Sequence, residues 1–180
     1  MWAQIKARGI KRFGNTIGYE RWTDLCQKFL MPVSHEGDMK FSIDMLSKSD
    51  ARTFSCILED FKIMNSITFW SDIITLGALE RRTKRAKVPD QLQAEYERTK
   101  LSQNSFDNLC VIKALAAHVA ESSKLQILHL VALKMSKVAY KHLGHGIFVS
   151  TRIRRLLIQN CNLGEGHCLH ELVDGIFDSH

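Results

Sequence analysis

Proline is scarce in this chain, with two among 180 residues, and glycine contributes only ten. That scarcity excludes collagen-like and low-complexity architectures. Long apolar runs are missing too. The longest charge-poor stretch, Ile63 to Leu79, is interrupted by Asp72 and is too short and polar to span a bilayer comfortably. The N-terminus lacks the apolar segment of a secretory signal, and the five cysteines (Cys26, Cys56, Cys110, Cys161, Cys168) are scattered and odd in number. This usage points to a reducing cytosol. Recognisable catalytic motifs are also wanting. Gly144, Gly146, Gly164 and Gly166 are not followed by the Gly-Lys-Ser/Thr of a phosphate loop, so they read as turn residues.

What is present is ordinary for one globular domain: 45% hydrophobic and 24% charged residues. Lysine and arginine exceed the acids by six, which favours acidic partners without choosing between nucleic acid, acidic protein and anionic lipid. Residues 1–18 carry Lys6, Arg8, Lys11 and Arg12 and no acid. We read a basic first helix there, with Ile10, Phe13 and Ile17 on one face, in preference to a mitochondrial presequence.

The informative signal is a repeat. Leu125-Gln-Ile-Leu128-His-Leu130-Val-Ala-Leu133-Lys-Met135 matches the spacing L-x-x-L-x-L-x-x-N/C-x-L except at Leu133, and Ile153 to Leu163 matches throughout, with Cys161 in the Asn/Cys place. The starts of the two copies, at Leu125 and Ile153, set the repeat period. A degenerate third copy, Tyr96 to Phe106 with Asn104 in the polar place, precedes Leu125 by one position more than that period. Alternation sends Leu128 and Leu130 into a core, and the Asn or Cys turns inward to meet backbone at the bend. The second half of each copy suits a helix, as in Leu109 to Val119, Val138 to Phe148 and Cys168 to Phe177. Strand plus helix at this period predicts an α/β fold, a leucine-rich-repeat solenoid of ribonuclease-inhibitor type with parallel strands and outer helices.

Upstream the pattern fades. Stepping back by the longer of the two spacings places Trp70 and Asp72, then Phe41 and Ile43, at core positions, although Asp72 is chemically wrong for one. The expected organisation is a helical cap over residues 1–35 and a repeat region over 36–180. That region is degenerate at 36–79, interrupted by a basic loop at 80–90 and clearer at 96–180. The cap helix, residues 10–31, is built on Ile17, Trp22, Leu25, Phe29 and Leu30. Arg81, Arg82, Lys84, Arg85 and Lys87 crowd the loop, which ends at Pro89 and reads as solvated, with a phosphate-binding or nuclear-import patch as the alternative. A fourth strand of the clearer series falls due near residue 181 or 182. The chain is therefore expected to be a fragment or short isoform with an uncapped apolar edge at Leu156, Ile158, Leu163 and Ile176.

Several segments together resemble the N-terminal leucine-rich-repeat region of the family of the centrosomal protein of seventy-eight kilodaltons. They are Trp22-Thr-Asp-Leu25-Cys26, Phe41 to Leu46 followed by Phe54 to Ser66, and Lys87-Val88-Pro89 at the end of the basic stretch. Leu109-Cys110 with Lys113-Ala114-Leu115, and Leu156 to Gly166, complete the set. The resemblance covers roughly residues 19–180. Leu133 and Asp72 depart from the repeat pattern, and the family's coiled-coil region is absent. It implies a place at the centrosome, centriole and ciliary base, a part in cilium assembly, and control of a ubiquitin ligase by binding it.

Chemistry separates the candidate sites. Cys161, His167, Cys168 and His170 have the residue types of a zinc site, but repeat register makes the two cysteines buried packing residues and gives no reason for four ligands to converge. No metal or cofactor is expected. A Cys–His nucleophile pair lacks an orienting partner and oxyanion donors, so the chain reads as non-enzymatic. The predicted partner-binding face comprises the outward residues of the repeat strands: Arg98, Lys100 and Ser102, then Ile127, His129 and Val131, then Arg155, Leu157 and Gln159. Basic and apolar groups mixed in this way suit an acidic, partly apolar protein segment, such as one from a ubiquitin ligase or a centriolar scaffold. Membrane binding is not expected. Nucleic-acid binding through residues 81–87 and the basic N-terminus, or service as another cytosolic leucine-rich-repeat adaptor, are the alternatives. The first lacks paired aromatics on which bases would stack.

Overall fold

A computed structural model describes residues 1–14, 16–43, 46–71, 109–164 and 166–177. Helices α1 (Trp2–Phe13) and α2 (Ile17–Glu36) lead into β1 (Asp38–Ser42), α3 (Lys48–Asp60) and β2 (Ser66–Trp70). After the undescribed stretch come α4 (Leu109–Glu121), β3 (Ile127–Val131), α5 (Lys137–Val149), β4 (Arg155–Gln159) and α6 (Cys168–Phe177). The four strands form one parallel sheet in the order β1-β2-β3-β4. The fold is α/β. Neighbouring helices pack in the same sequence, α2 on α3, α3 on α4, α4 on α5 and α5 on α6, as a second layer.

The strand–helix unit is regular. All four strands are equally short, and α3, α4 and α5 are equal in length. Asp38 of β1 lies opposite Ser66 of β2, an offset of 28. β3 and β4 keep the same offset, Ile127 opposite Arg155, as do Leu133 and Cys161 just beyond them. The chain from Trp70 to Leu109 is far longer than the step from Ser42 of β1 to Lys48 of α3, so this unit carries an insertion. The basic loop and the copy expected at residues 96–106 lie outside the described residues.

Two expectations need correcting. β2 pairs directly with β3, Thr68 opposite His129, so no strand separates them. The β1–β2 offset is also one position shorter than expected, which puts Ile67 and Phe69 at the core positions and Trp70 on the other face. Asp72 follows the strand and lies outside the described residues. Chain separation costs little beyond loop closure, which grows only logarithmically with length, so register follows side-chain fit and not a constant period.

Local chemistry starts two of the helices. Ser47 caps α3 in a capping box, its hydroxyl accepting from the Asp50 amide at 3.2 Å, and Ser136 accepts from the Ala139 amide at 3.2 Å to start α5. After α4 and α5, Ser122 and Ser150 stand at the same offset as the strands and make the same turn. Ser122 Oγ accepts from Lys124 and Leu125, and Ser150 Oγ from Arg152 and Ile153. The chain leaves β3 and β4 through left-handed residues in matching places, Ala132 and Asn160, each at φ 54°.

The core lies between the layers. Ile67, Phe69, Leu128 and Leu130 are fully buried from the sheet, and Phe54, Ile57, Leu58, Ile112, Leu115, Tyr140 and Leu143 meet them from the helices. Each such side chain contributes about 1.5–3 kcal/mol through removal from water. The cap helix expected over 10–31 does not run unbroken: the chain breaks at Gly14, φ 59°, which separates the basic first helix α1 from α2. Ile10 and Ile17 are exposed as a result, while Ile5 and Trp22 are buried where α1 crosses α2. Trp22 Nε1 donates to the Ile5 carbonyl at 3.0 Å, and Arg12 ties α1 to Asp60 of α3 at 2.8 Å. α2 also packs on β1. Among the described residues, no helix is long and apolar enough to cross a membrane.

Gly144 and Gly146, expected in turns, lie inside α5 and let helix backbones touch. A Cβ on Gly146 would stand 2.5 Å from the Ala116 carbonyl of α4, and one on Gly144 would overlap the Leu172 carbonyl of α6. Replacing an interior helical glycine by alanine ordinarily gains about 1 kcal/mol. Here the obstacle is backbone, so Gly146→Ala is expected to destabilise the fold by about 1–3 kcal/mol, measured by urea denaturation. A gain in stability would contradict the close α4–α5 approach.

Candidate functional site

Alternation along the four strands defines a face turned away from the helices. Register sets it out in three rows running across the sheet. The first holds Asp38, Ser66, Ile127 and Arg155; the second Lys40, Thr68, His129 and Leu157; the third Ser42, Trp70, Val131 and Gln159. Lys40, Arg155 and Gln159 are exposed, and Thr68, Trp70, Ile127, His129, Val131 and Leu157 are half-buried against one another.

Six of the residues expected on this face, Ile127, His129, Val131, Arg155, Leu157 and Gln159, therefore lie together on β3 and β4. Arg98 and Lys100 are outside the described residues, as are Arg81, Arg82, Lys84, Arg85 and Lys87. The neighbours expected for Ile127 and His129 need correction: Ser66 and Thr68 of β2 occupy those places. Trp70 was missed as a member of the face. The match of Met39 and Phe41 to Ile67 and Phe69, at the same offset as the two clear copies, is the signal that would have placed it.

Charge on the face is partly compensated. Ser66 Oγ donates to Asp38 Oδ1 at 2.6 Å, and Lys40 Nζ is 3.3 Å from Asp38 Oδ2. The Ser66 hydrogen bond, with Lys40 assisting and desolvation opposing, holds the Asp38 carboxyl below its ordinary range. His129 Nε2 meets Gln159 Oε1 at 3.1 Å. Arg155 is left as the projecting cation at the β4 side, next to Ile127 and Leu157. The arrangement offers apolar contact edged by positive charge, with no nucleophile activated for attack among these side chains.

Of the cysteine and histidine candidates, Cys161 has a structural role at the bend. Cys161 Sγ accepts from the Leu133 amide at 3.4 Å and donates toward the Leu130 and Gln159 carbonyls at 3.6 and 3.4 Å. The thiol thus serves the bend of the preceding unit. Burial pushes it up from its ordinary pKa, as it does Cys56, and Cys26 is pushed up to about 12 by the same cause. Cys168 is buried at the start of α6, while His170 is exposed and pairs with Asp174 at 2.7 Å. Among the described residues no three His, Cys, Asp or Glu side chains converge as metal ligands.

Asn162 carries more of the bend than its position suggested. Its Oδ1 accepts from the Met135 amide at 2.9 Å and from the Tyr140 hydroxyl at 3.1 Å, and its Nδ2 donates to the Met135 carbonyl at 3.0 Å. A shallow groove of about 420 Å³ lies on the outer surface between α5 and α6, lined by Lys137, Lys141, His142, His145 and Glu171. Burial, then the nearby Lys113 and His145, keep His142 below its ordinary pKa.

His118 is a further buried titratable group. Its Nδ1 lies 2.7 Å from the Leu58 carbonyl, one of the last four carbonyls of α3, which the helix itself leaves unpaired. Nδ1 therefore carries the proton and donates, while the buried Nε2 has no partner among the described residues. Desolvation lowers its pKa, so folding disfavours the charged form. No family model, curated protein or solved structure matches the chain.

Two stability tests follow from this geometry. Cys161→Ala is expected to cost about 1–2 kcal/mol through lost packing, and Asn162→Ala about 2–3 kcal/mol through three hydrogen bonds, both read from denaturant midpoints. Stoichiometric zinc that is lost on changing Cys161 or Cys168 would overturn the structural role of the thiols.

For His118 the sign is fixed by its lowered pKa. Below the unfolded value of about 6.5 the unfolded chain binds a proton that the folded chain refuses, so stability falls as pH drops from there toward the folded value. His118→Asn, which keeps a donor near the Nδ1 position, is expected to flatten this part of the stability–pH curve. An unchanged slope would show that other groups cause it.

Proposed function

We propose that this chain is a leucine-rich-repeat solenoid of ribonuclease-inhibitor type and a non-enzymatic protein-interaction module. It binds an acidic, partly apolar protein segment on the sheet face described above. The observation that carries this reading is the continuous outward surface of Trp70, Ile127, Val131 and Leu157 with Arg155 beside it, held on a rigid four-stranded sheet. A preformed surface of this kind loses little conformational freedom on binding. An aromatic anchor among apolar residues with charge at the margin is the usual anatomy of a protein contact.

Two features support the repeat reading. They are the equal offsets of the β1–β2 and β3–β4 pairs and the inward thiol of Cys161 at the bend between units. The place of action, the centrosome and ciliary base, and the partner class, a ubiquitin ligase or centriolar scaffold, rest on the sequence resemblance. Cilium assembly and regulation of the ligase by binding are the corresponding roles.

The experiment is localisation of the tagged chain combined with kinetic binding to isolated centrosomal partners. Arg155→Glu is expected to slow association and weaken its salt dependence, because a marginal charge acts mainly on encounter. Trp70→Ala and Ile127→Asp are expected to raise the dissociation rate about tenfold or more while leaving salt dependence intact. A diffuse or nuclear signal would overturn the centrosomal reading. Binding that survives all three changes but is lost on neutralising residues 81–87 would move the site to the basic loop and favour nucleic acid.

A further inference from the structure

The two ends of the sheet are finished differently. At the first end α2 packs on β1 and α3. At the other, β4 ends the sheet among the described residues, and α6 ends the helix layer. α6 buries Cys168, Leu172 and Gly175 and tucks Ile176 against the core, but exposes Leu169, Val173 and Phe177 at helical spacing. Phe177 is 73% exposed and Leu169 54%. These three sit beside Ile176, on the side of α6 away from α5. The repeat offset makes their purpose legible. Backbone at Lys141, Gly144 and His145 is where α5 touches Gly175 of α6, and the offset carries those positions to Leu169, Leu172 and Val173. The exposed stripe is therefore the surface by which one unit docks on the next. The four residues expected at this edge, Leu156, Ile158, Leu163 and Ile176, are partly buried and pack against the core.

β4 is equally unfinished, and its pattern is symmetric. The Arg155 amide donates to Gln126 and the Gln159 carbonyl accepts from Ala132, so alternate residues 155, 157 and 159 bond β3. The N–H and C=O groups of Leu156 and Ile158 then point out from the sheet. We propose that this end is a self-association surface on which a second copy of the chain pairs about a two-fold axis perpendicular to the sheet. β4 runs antiparallel to its partner copy, centred on Leu157. Leu156 then faces Ile158 of the other copy as a hydrogen-bonded pair exchanging both bonds, and the two Leu157 side chains meet as the closer, non-bonded pair. Arg155 falls opposite Gln159, so no like charges oppose each other.

The same axis keeps both helix layers on one side and sets α6 antiparallel to its copy. Centred on Val173, the stripe matches itself, with Leu169 against Phe177, while Glu171 falls opposite Gly175 and meets no acid. Strand edge and helix stripe are each self-complementary in antiparallel pairing, in apolar pattern and in charge. That is the condition for a closed, isologous dimer. The product is a continuous eight-stranded sheet in which the outward face of each copy remains open.

Sedimentation velocity of the full chain from about 1 to about 100 µM is the test, with micromolar self-association expected. The double variant Leu169→Lys/Val173→Lys alters exposed positions only and is expected to weaken dimerisation at least about tenfold with an unchanged far-UV spectrum. Amide hydrogen exchange reads the strand edge separately: Leu156 and Ile158 are expected to gain protection as the wild-type chain dimerises, and not in the double variant. A wild-type chain that stays monomeric across the range overturns the proposal. So do open-ended oligomers, a dimer indifferent to the two lysines, or one that leaves Leu156 and Ile158 unprotected.

Discussion

Each strand–helix unit has an apolar inner row that it cannot bury alone, and the rest of the structure depends on how neighbours cover it. Leu128 and Leu130 are sealed because Ile67 and Phe69 lie on one side and Leu156 and Ile158 on the other, under Tyr140 and Leu143. Backbone hydrogen bonds between the strands align these rows, and burial then rewards only that alignment. A slip of one residue would send the whole row to the solvent face. The register of the outward side chains is fixed by the same alignment.

The same constraint explains the polar chemistry at the joints. A bend between strand and helix leaves amides and carbonyls that need partners, and a neighbouring unit supplies them. Cys161 and Asn162 reach back to Leu130, Leu133 and Met135 of the preceding unit. His118 reaches from α4 to the Leu58 carbonyl at the end of α3, and Arg8 of α1 donates to the Asp60 carbonyl nearby. Cys161 and His118, which could pass for a metal ligand or nucleophile and a general base, are occupied in closing backbone valences. The raised thiol pKa and the lowered pKa of His118 follow from their burial.

Glycine has a parallel role on the helix layer. With strands about 4.8 Å apart and helices about 10 Å wide, a parallel sheet whose helices all lie on one side forces the helix layer to crowd or the sheet to curve. Gly144, Gly146 and Gly175 relieve the crowding by letting α4, α5 and α6 meet through backbone. α6 turns the side it does not share with α5, carrying Leu169, Val173 and Phe177, outward instead.

Much of the local structure was legible in the sequence alone. Alternation in Ile127–Val131 and Arg155–Gln159 identified two strands and their outward residues, because side-chain direction along a strand depends only on parity. Apolar spacing in Val138 to Phe148 and Cys168 to Phe177 identified α5 and α6 for the same local reason. The inward turn of Cys161 followed from its place after the last strand residue. Only the tertiary structure decided which strands are neighbours. β2 pairs with β3 across the inserted residues, since strand pairing is selected by buried side-chain fit and is nearly indifferent to loop length. That pairing, and not any spacing in the chain, brings Trp70 beside Val131 and Thr68 beside His129. Tertiary packing also determines that the break at Gly14 folds α1 back over Trp22, and that the buried Nδ1 of His118 finds the distant carbonyl of Leu58. These contacts join segments whose local patterns carry no information about one another.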